Sequence, residues 1–168
     1  MHTCLLKNAR VIDPSQGIDR TADILVEAGK IKRIGEIGTE AERVIDASGL
    51  IAAPGLVDMH VHLRDPGQTQ KEDILSGCSA AAAGGVTSLL AMPNTSPTVD
   101  SGETVRYILQ KAQAAKARVY VAASITKGLK SEELCNLQEL RDAGAIALTD
   151  DGRPVVNTGR WPWRRRFL

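Results

Sequence analysis

From Pro54 onward, short apolar segments alternate with segments of helical character, and this alternation constrains the fold more than any other feature. Four strands are predicted, at residues 56–63, 86–92, 118–123 and 145–149. Helices are predicted between them, from a capping box at Thr69–Glu72 to about residue 83, then over 103–116 and 132–143. Such alternation predicts a parallel sheet with right-handed crossovers. An open doubly wound sheet and a (β/α)8 barrel both fit, but a barrel needs about 250 residues, so four strands would form its first half.

The first fifty residues have a different pattern, typical of β structure. Two short apolar stretches, 4–7 and 9–12, precede Asp13-Pro14, and residues 22–27 and 30–34 flank Ala28-Gly29 as in a hairpin. We therefore predict an α/β protein in three parts. Residues 1–53 form a small β portion, residues 54–157 form the first half of a barrel, and residues 158–168 form an atypical tail.

Composition and charge exclude several classes of protein. The 168 residues include 21 basic and 20 acidic side chains, for a net charge of +1, which argues against a nucleic-acid-binding protein. No apolar run approaches the roughly 20 residues that cross a bilayer, and the N-terminus lacks a signal-peptide pattern. Three widely spaced cysteines fit reduced thiols. We expect a cytoplasmic protein without membrane contact.

The last residues differ from the rest. Three of the aromatic residues and four arginines lie within residues 160–168, which leaves 17 basic against 20 acidic side chains, or −3, for the remainder. Pro162 would also interrupt a barrel helix. Our hypothesis is that this tail is not native to the fold and reflects an out-of-frame or truncated reading of the gene. A membrane- or RNA-binding tail is the alternative.

The segment from Asp58 to Arg64 carries the clearest chemical signal. On a strand, alternate side chains point to one face, so Asp58, His60, His62 and Arg64 are predicted to share a face. Two imidazoles at this spacing can both reach one metal ion, and imidazole suits zinc. Two surface histidines on an edge strand are the alternative.

Polar residues also follow the second and fourth predicted strands. Asn94 comes after Met92-Pro93, and Asp150 and Asp151 precede Gly152. If these strands end at one mouth of a barrel, the amide and a carboxylate would face the histidines. Taken alone, each segment is more typical of a solvated turn.

These motifs together resemble the dihydroorotase family. The resemblance is carried by Pro54–Thr69 with Lys71–Asp73, by Met92–Thr95 and by Thr149–Val155, in the expected order and at the expected separations. It extends from about residue 3 to 157, including Val11–Pro14. Hydantoinases and allantoinases share the paired histidines, but Arg64–Thr69 favours dihydroorotase.

The resemblance implies an active site. His60, His62 and Asp151 would bind one or two zinc ions, with no carbamylated lysine, and Arg64 and Asn94 would bind the substrate carboxylate. The implied reaction is the reversible hydrolysis of dihydroorotate to N-carbamoyl-L-aspartate in pyrimidine biosynthesis. The implied partners are this small substrate and either a second copy or aspartate transcarbamoylase.

The resemblance also implies missing parts. The family places two further histidine ligands and the proton-shuttling aspartate on later strands, so the catalytic residue is unknown here and we expect a truncated, inactive fragment. A non-catalytic scaffold of aspartate transcarbamoylase and another cyclic amidohydrolase are the alternative functions. Because half a barrel leaves sheet edges open, we expect the chain alone to be insoluble or molten.

Overall fold

A computed structural model describes residues 3–156 of the chain. The chain divides into two compact units between Pro54 and Gly55. The predicted tail, residues 158–168, lies outside the described residues.

The first unit is a five-stranded sheet. Its strands are β1 (Thr3–Asp13), β2 (Ile18–Glu27), β3 (Lys30–Gly35), β4 (Arg43–Asp46) and β5 (Ile51–Ala52). The order is β3-β2-β1-β4, with β5 also paired to β1. The predicted hairpin is confirmed: Glu27 pairs with Lys30, and both Ala28 and Gly29 have the positive φ that a tight hairpin turn of this kind requires.

The two apolar stretches predicted near the N-terminus form one strand instead. Asn8 adopts a φ of 62°, and the register shifts between Leu6 and Ala9, so a bulge interrupts the pairing without ending the strand. The amide of Asn8 donates to the carboxylate of Asp23 at 2.9 Å, which satisfies the backbone group that the bulge unpairs.

The second unit contains a four-stranded parallel sheet in the order β6-β7-β8-β9. These strands are β6 (Leu56–Val61), β7 (Val86–Ala91), β8 (Arg118–Ala123) and β9 (Ala147–Leu148). The helices between them are α1 (Ile74–Ala83), α2 (Gly102–Lys111) and α3 (Leu137–Asp142). The predicted half barrel after a small β portion is thus confirmed as an architecture.

Helices and sheet share one apolar core. Val105 and Ile108 of α2, which the helical spacing predicted to be buried, are at most 1% exposed and pack with Leu89 and Val121 of the sheet. This packing fixes the second unit's strands relative to each other. No helix within residues 3–156 is long and apolar enough to cross a membrane.

The first helix starts later than predicted. Its N-cap is Asp73, which accepts hydrogen bonds from the amides of Leu75 and Ser76, and Ser76 completes the capping box. Thr69–Glu72 therefore lies in a loop, and the predicted capping box there is wrong. The reason is local: the loop folds back through hydrogen bonds from Gln68 to Arg64 and from Lys71 to Gln68.

The other two helices are shorter than predicted. After Lys111, α2 gives way to a 3-10 turn at Ala112–Ala114. The segment before α3 is extended, because Glu133 and Cys135 form backbone hydrogen bonds with Lys127 and Ile125. These bonds hold the loop after β8 in place and delay the start of α3 to Leu137.

Candidate metal site

Candidate residues lie at the carboxyl ends of three of the four parallel strands, β6, β7 and β9. His60 lies in β6 and His62 directly follows that strand, while Asn94 and Asp151 follow β7 and β9 by three residues each. Because parallel strands end at the same edge of a sheet, residues far apart in sequence meet there.

His60, His62 and Asp151 form one cluster. Nε2 of His60 lies 3.0 Å from Oδ1 of Asp151, and Nδ1 of His62 lies 3.7 Å from Oδ2 of the same carboxylate. The two imidazole rings meet edge to face with centroids 5.1 Å apart. The Asp151 side chain is only 8% exposed, against 60% for His60 and 31% for His62. The carboxylate therefore contacts both rings from a sheltered position.

The cluster has the donor set and spacing of a metal site. One ligand atom from each residue lies within 4.8 Å of the others. Ligands placed tetrahedrally about 2.0–2.2 Å from zinc are separated from one another by about 3.3 Å. The separation of 3.0 Å between Nε2 of His60 and Oδ1 of Asp151 is close to that value, so this pair fits a metal ion with little movement.

Asn94 fixes the orientation of His62. Nδ1 of His62 lies 2.8 Å from Oδ1 of Asn94, and an amide oxygen can only accept, so Nδ1 donates the proton. The lone pair of the imidazole is then on Nε2. Outer hydrogen bonds of this type hold metal-binding histidines in the required tautomer. The amide group of Asn94 keeps two N–H donors beyond this contact.

Arg64 does not lie on the strand face that the sequence predicted. Strand β6 ends at Val61, and Arg64 follows it with a φ of 58°, where the two-residue alternation of a strand no longer applies. Asp58 is also not part of the cluster, because its carboxylate accepts a hydrogen bond from the amide of His60. The predicted shared face is thus wrong for Arg64, and of the other three residues only His60 and His62 belong to the cluster.

The loop carrying Arg64 is anchored by its neighbour Asp65. Asp65 is 1% exposed, and its carboxylate contacts Nζ of Lys111 at 2.6 Å and the hydroxyl of Tyr107 at 3.0 Å. The hydrogen bond and charge of Asp65 raise the pKa of Lys111. These contacts tie the β6 loop to helix α2, and no sequence pattern indicated them.

The loops after β6 and β7 also touch directly. The amide of Ser96 donates to the carbonyl of Pro66 at 3.1 Å. Gly67 has a φ of 87°, and a Cβ there would lie 1.7 Å from the Ser96 carbonyl oxygen, so a side chain would clash with the backbone. This close approach holds the Arg64 loop beside the Asn94 loop.

The two aspartates of the fourth loop have different environments. Asp150 is 3% exposed and accepts hydrogen bonds from Ile125 and Thr126, whereas Asp151 faces the histidines. Sequence spacing alone did not distinguish them, and Thr126 was not predicted to matter. The adjacent acidic pair was the only available signal.

Comparisons with known proteins indicate the family of the chain. The family model described as "Dihydro-orotase-like" matches residues 49–159. A dihydroorotase of Geotalea daltonii is 54% identical over 156 residues, covering 90% of this chain and 36% of that protein. One from Geobacter metallireducens is 53% identical over 160 residues, covering 92% and 37%. The chain therefore spans about a third of the length of these relatives.

Solved structures show the same architecture. An L-hydantoinase (dihydropyrimidinase) from Arthrobacter aurescens superposes with a TM-score of 0.73 at 28% identity, over 88% of this chain and 32% of that one. Both the sequence relatives and the structural neighbour are cyclic-amide hydrolases by name. With the family model covering most of the chain, the protein belongs to the dihydroorotase-like family.

Proposed function

We propose that this chain provides the metal-binding part of a zinc-dependent dihydroorotase, which interconverts dihydroorotate and N-carbamoyl-L-aspartate. The observation that carries the proposal is the cluster of His60, His62 and Asp151 at the carboxyl edge of the sheet. Identity of about half to named dihydroorotases supports the choice of substrate.

Zinc is the metal that the donors favour. Two imidazoles and one carboxylate match the three protein ligands typical of catalytic zinc sites. When bound, zinc supplies the Lewis acidity that polarises an amide carbonyl and activates water. The site is proposed to hold one or two zinc ions, and metal analysis gives the number.

Residues of this chain would bind the metal and the substrate carboxylate. Asp151, held in a sheltered position, and His62, oriented by Asn94, present their donor atoms before any ion arrives. Arg64 offers a planar guanidinium suited to the substrate carboxylate, and the free N–H donors of Asn94 can share that anion. The group that carries the proton is not assigned to any residue of this chain.

A hydantoinase-type activity is the second candidate. It is favoured by the structural neighbour, whose name is hydantoinase and whose fold matches 88% of the chain. The substrates share a cyclic amide, so the same metal-binding residues serve both. Arg64 distinguishes them, because dihydroorotate carries a carboxylate that hydantoin itself lacks.

The remaining proposals concern binding partners. The proposed substrate is a small molecule, and the chain is proposed to associate with a second copy of itself or with aspartate transcarbamoylase. A non-catalytic scaffold of that transcarbamoylase is a weaker alternative, because a scaffold has no need for three metal donors brought within 4.8 Å of one another.

The experiment combines metal analysis with an assay. The purified 168-residue chain is loaded with zinc, dialysed and analysed, then incubated with dihydroorotate, hydantoin and allantoin, alone and mixed with the remaining C-terminal part of the Geotalea daltonii relative. We expect zinc retention, and ring opening of dihydroorotate in the mixture. A chain that retains no zinc, or a mixture that opens hydantoin but not dihydroorotate, contradicts the proposal.

A further inference from the structure

The buried carboxylate of Asp150 has no role in the site proposed above. Its Oδ1 accepts hydrogen bonds from the amides of Ile125 and Thr126, at 2.7 and 3.1 Å. Its Oδ2 accepts one from the hydroxyl of Thr126 at 2.5 Å. Asp150 is 3% exposed and Thr126 is 2% exposed. The loop after β9 is thereby tied to the loop after β8 by three hydrogen bonds to one carboxylate.

Thr126 is itself held from a second side. Its Oγ1 accepts a hydrogen bond from the amide of Ser131 at 3.0 Å, and the backbone of Thr126 pairs with Leu134. The hydroxyl therefore both donates to Asp150 and accepts from Ser131. The Thr126 hydroxyl that holds Asp150 is therefore itself held in place by the backbone of the loop after β8.

The backbone at Asp151 needs such an anchor. Asp151 has a φ of 37°, a region that non-glycine residues occupy only where the surroundings hold them. Its amide donates to Oγ1 of Thr149, and the amide of Arg153 donates to the carbonyl of Asp150. This backbone conformation sends the Asp151 side chain toward His60 while the adjacent Asp150 side chain points inward.

We propose that Asp150 and Thr126 are positioning residues that hold Asp151 in place as a metal ligand. The inference rests on the proposed function for the identity of the ligand site. Neither residue is a candidate metal ligand. Their effect passes through the loop backbone, which holds the carboxylate of Asp151 beside His60 and His62.

The test compares matched variants of Thr126 in the full chain. Thr126→Val keeps the shape of the side chain but removes the hydroxyl, and Thr126→Ser keeps the hydroxyl. Asp150→Asn is a second variant that keeps the size of the carboxylate and removes its charge. Thr104→Val, at another buried threonine in helix α2, controls for a general loss of stability.

Two quantities are measured for each variant. Zinc affinity is obtained by competition with a chelator, and hydrogen exchange of the Asp151 amide is measured in the metal-free chain. We expect Thr126→Val and Asp150→Asn to lose about 10- to 100-fold in zinc affinity, the range found when partners that orient metal ligands are removed. They should also speed exchange at Asp151, while Thr126→Ser and Thr104→Val stay near wild type in both.

The outcomes separate this inference from the proposed function. Unchanged exchange at Asp151 in both Thr126→Val and Asp150→Asn overturns it. Unchanged zinc affinity in these variants, or an equal loss in Thr104→Val, overturns it as well. If the wild-type chain binds no zinc, the proposed function fails, and exchange in the metal-free chain alone then decides whether Asp150 and Thr126 hold the loop.

Discussion

At the scale of single residues, the three candidate ligands differ most in how firmly they are held. The Asp151 side chain is 8% exposed and its loop is hydrogen-bonded on both sides, whereas 60% of the His60 side chain is exposed. The carboxylate of Asp151 is therefore the most firmly held of the candidate ligands. Removing the fixed member should therefore affect binding strongly.

The first prediction concerns Asp151 itself. Asp151→Asn removes the charge and should reduce zinc affinity by more than about 100-fold, beyond the loss expected when only an orienting partner is removed. Chelator competition measures it. Asp142→Asn, the same change at an exposed helix position, is the control and should bind as wild type. Equal affinity of the two variants would mean that Asp151 is not a ligand.

The second prediction concerns Asn94. Asn94→Ala removes the acceptor for Nδ1 of His62 and should weaken zinc binding by about 10-fold in the absence of any substrate. Asn94→Asp keeps an acceptor oxygen and should retain the affinity. If Asn94→Ala binds zinc as tightly as wild type, Asn94 does not orient His62. Its proposed role is then substrate binding only.

Much of this site was predictable from residues, and part of it was not. Alternation along a strand grouped His60 with His62, because His60 lies in β6 and His62 directly follows it. It failed for Arg64, since the strand ends at Val61 and the backbone turns. The contribution of Asp151, 89 positions after His62, follows from the resemblance and from the meeting of parallel strand ends, not from local spacing.

At the scale of secondary-structure elements, loops of the second unit are fixed by contacts between elements. Asp65 joins the β6 loop to helix α2 through Lys111 and Tyr107. The start of α1 at Asp73 and the late start of α3 both result from such loop contacts, which sequence periodicity does not encode. This explains why strands were predicted more accurately than helix starts.

The third prediction tests the Asp65 anchor. Lys111→Met leaves a buried carboxylate without its cation and should lower the free energy of unfolding by about 1 kcal/mol. That is less than a fully buried pair loses, because one third of the Lys111 side chain is exposed. Chemical denaturation measures it, with the exposed Lys116→Met as control.

The same pair predicts a pH dependence. Asp65 raises the pKa of Lys111 above its ordinary value of 10.5, so the stabilisation is fully present below that pH and is lost as the pH rises through the folded-state pKa. The difference in unfolding free energy between wild type and Lys111→Met should be constant at neutral pH and shrink above pH 10.5. A difference that persists at higher pH contradicts the ion pair.

At the scale of the whole molecule, the parallel sheet has two strands without a second neighbour within residues 3–156, β6 and β9. Apolar side chains are exposed along them: Leu56 and Met59 are 62% and 74% exposed, and Ile146, next to β9, is 63% exposed. Unpaired backbone groups together with apolar side chains favour association between chains. The chain alone should therefore aggregate readily.

The fourth prediction follows from these edges. Met59→Lys places a charge on β6 and should reduce aggregation, because an edge lysine disfavours pairing with another chain. Light scattering at increasing concentration measures it. Ile31→Lys changes another exposed apolar residue, at 63%, in the first unit and should have a smaller effect. Equal effects of both would assign aggregation to general surface hydrophobicity.

The proposed zinc site is tested by X-ray absorption at the zinc edge on the zinc-loaded 168-residue chain. We expect two imidazole nitrogens at about 2.0–2.1 Å and carboxylate oxygen at about 2.0–2.2 Å, with outer-shell scattering from both rings. That signal should be lost in the His60→Ala and Asp151→Asn variants. A spectrum without imidazole scattering, or one unchanged in these variants, would contradict the assignment of His60, His62 and Asp151 as the zinc site.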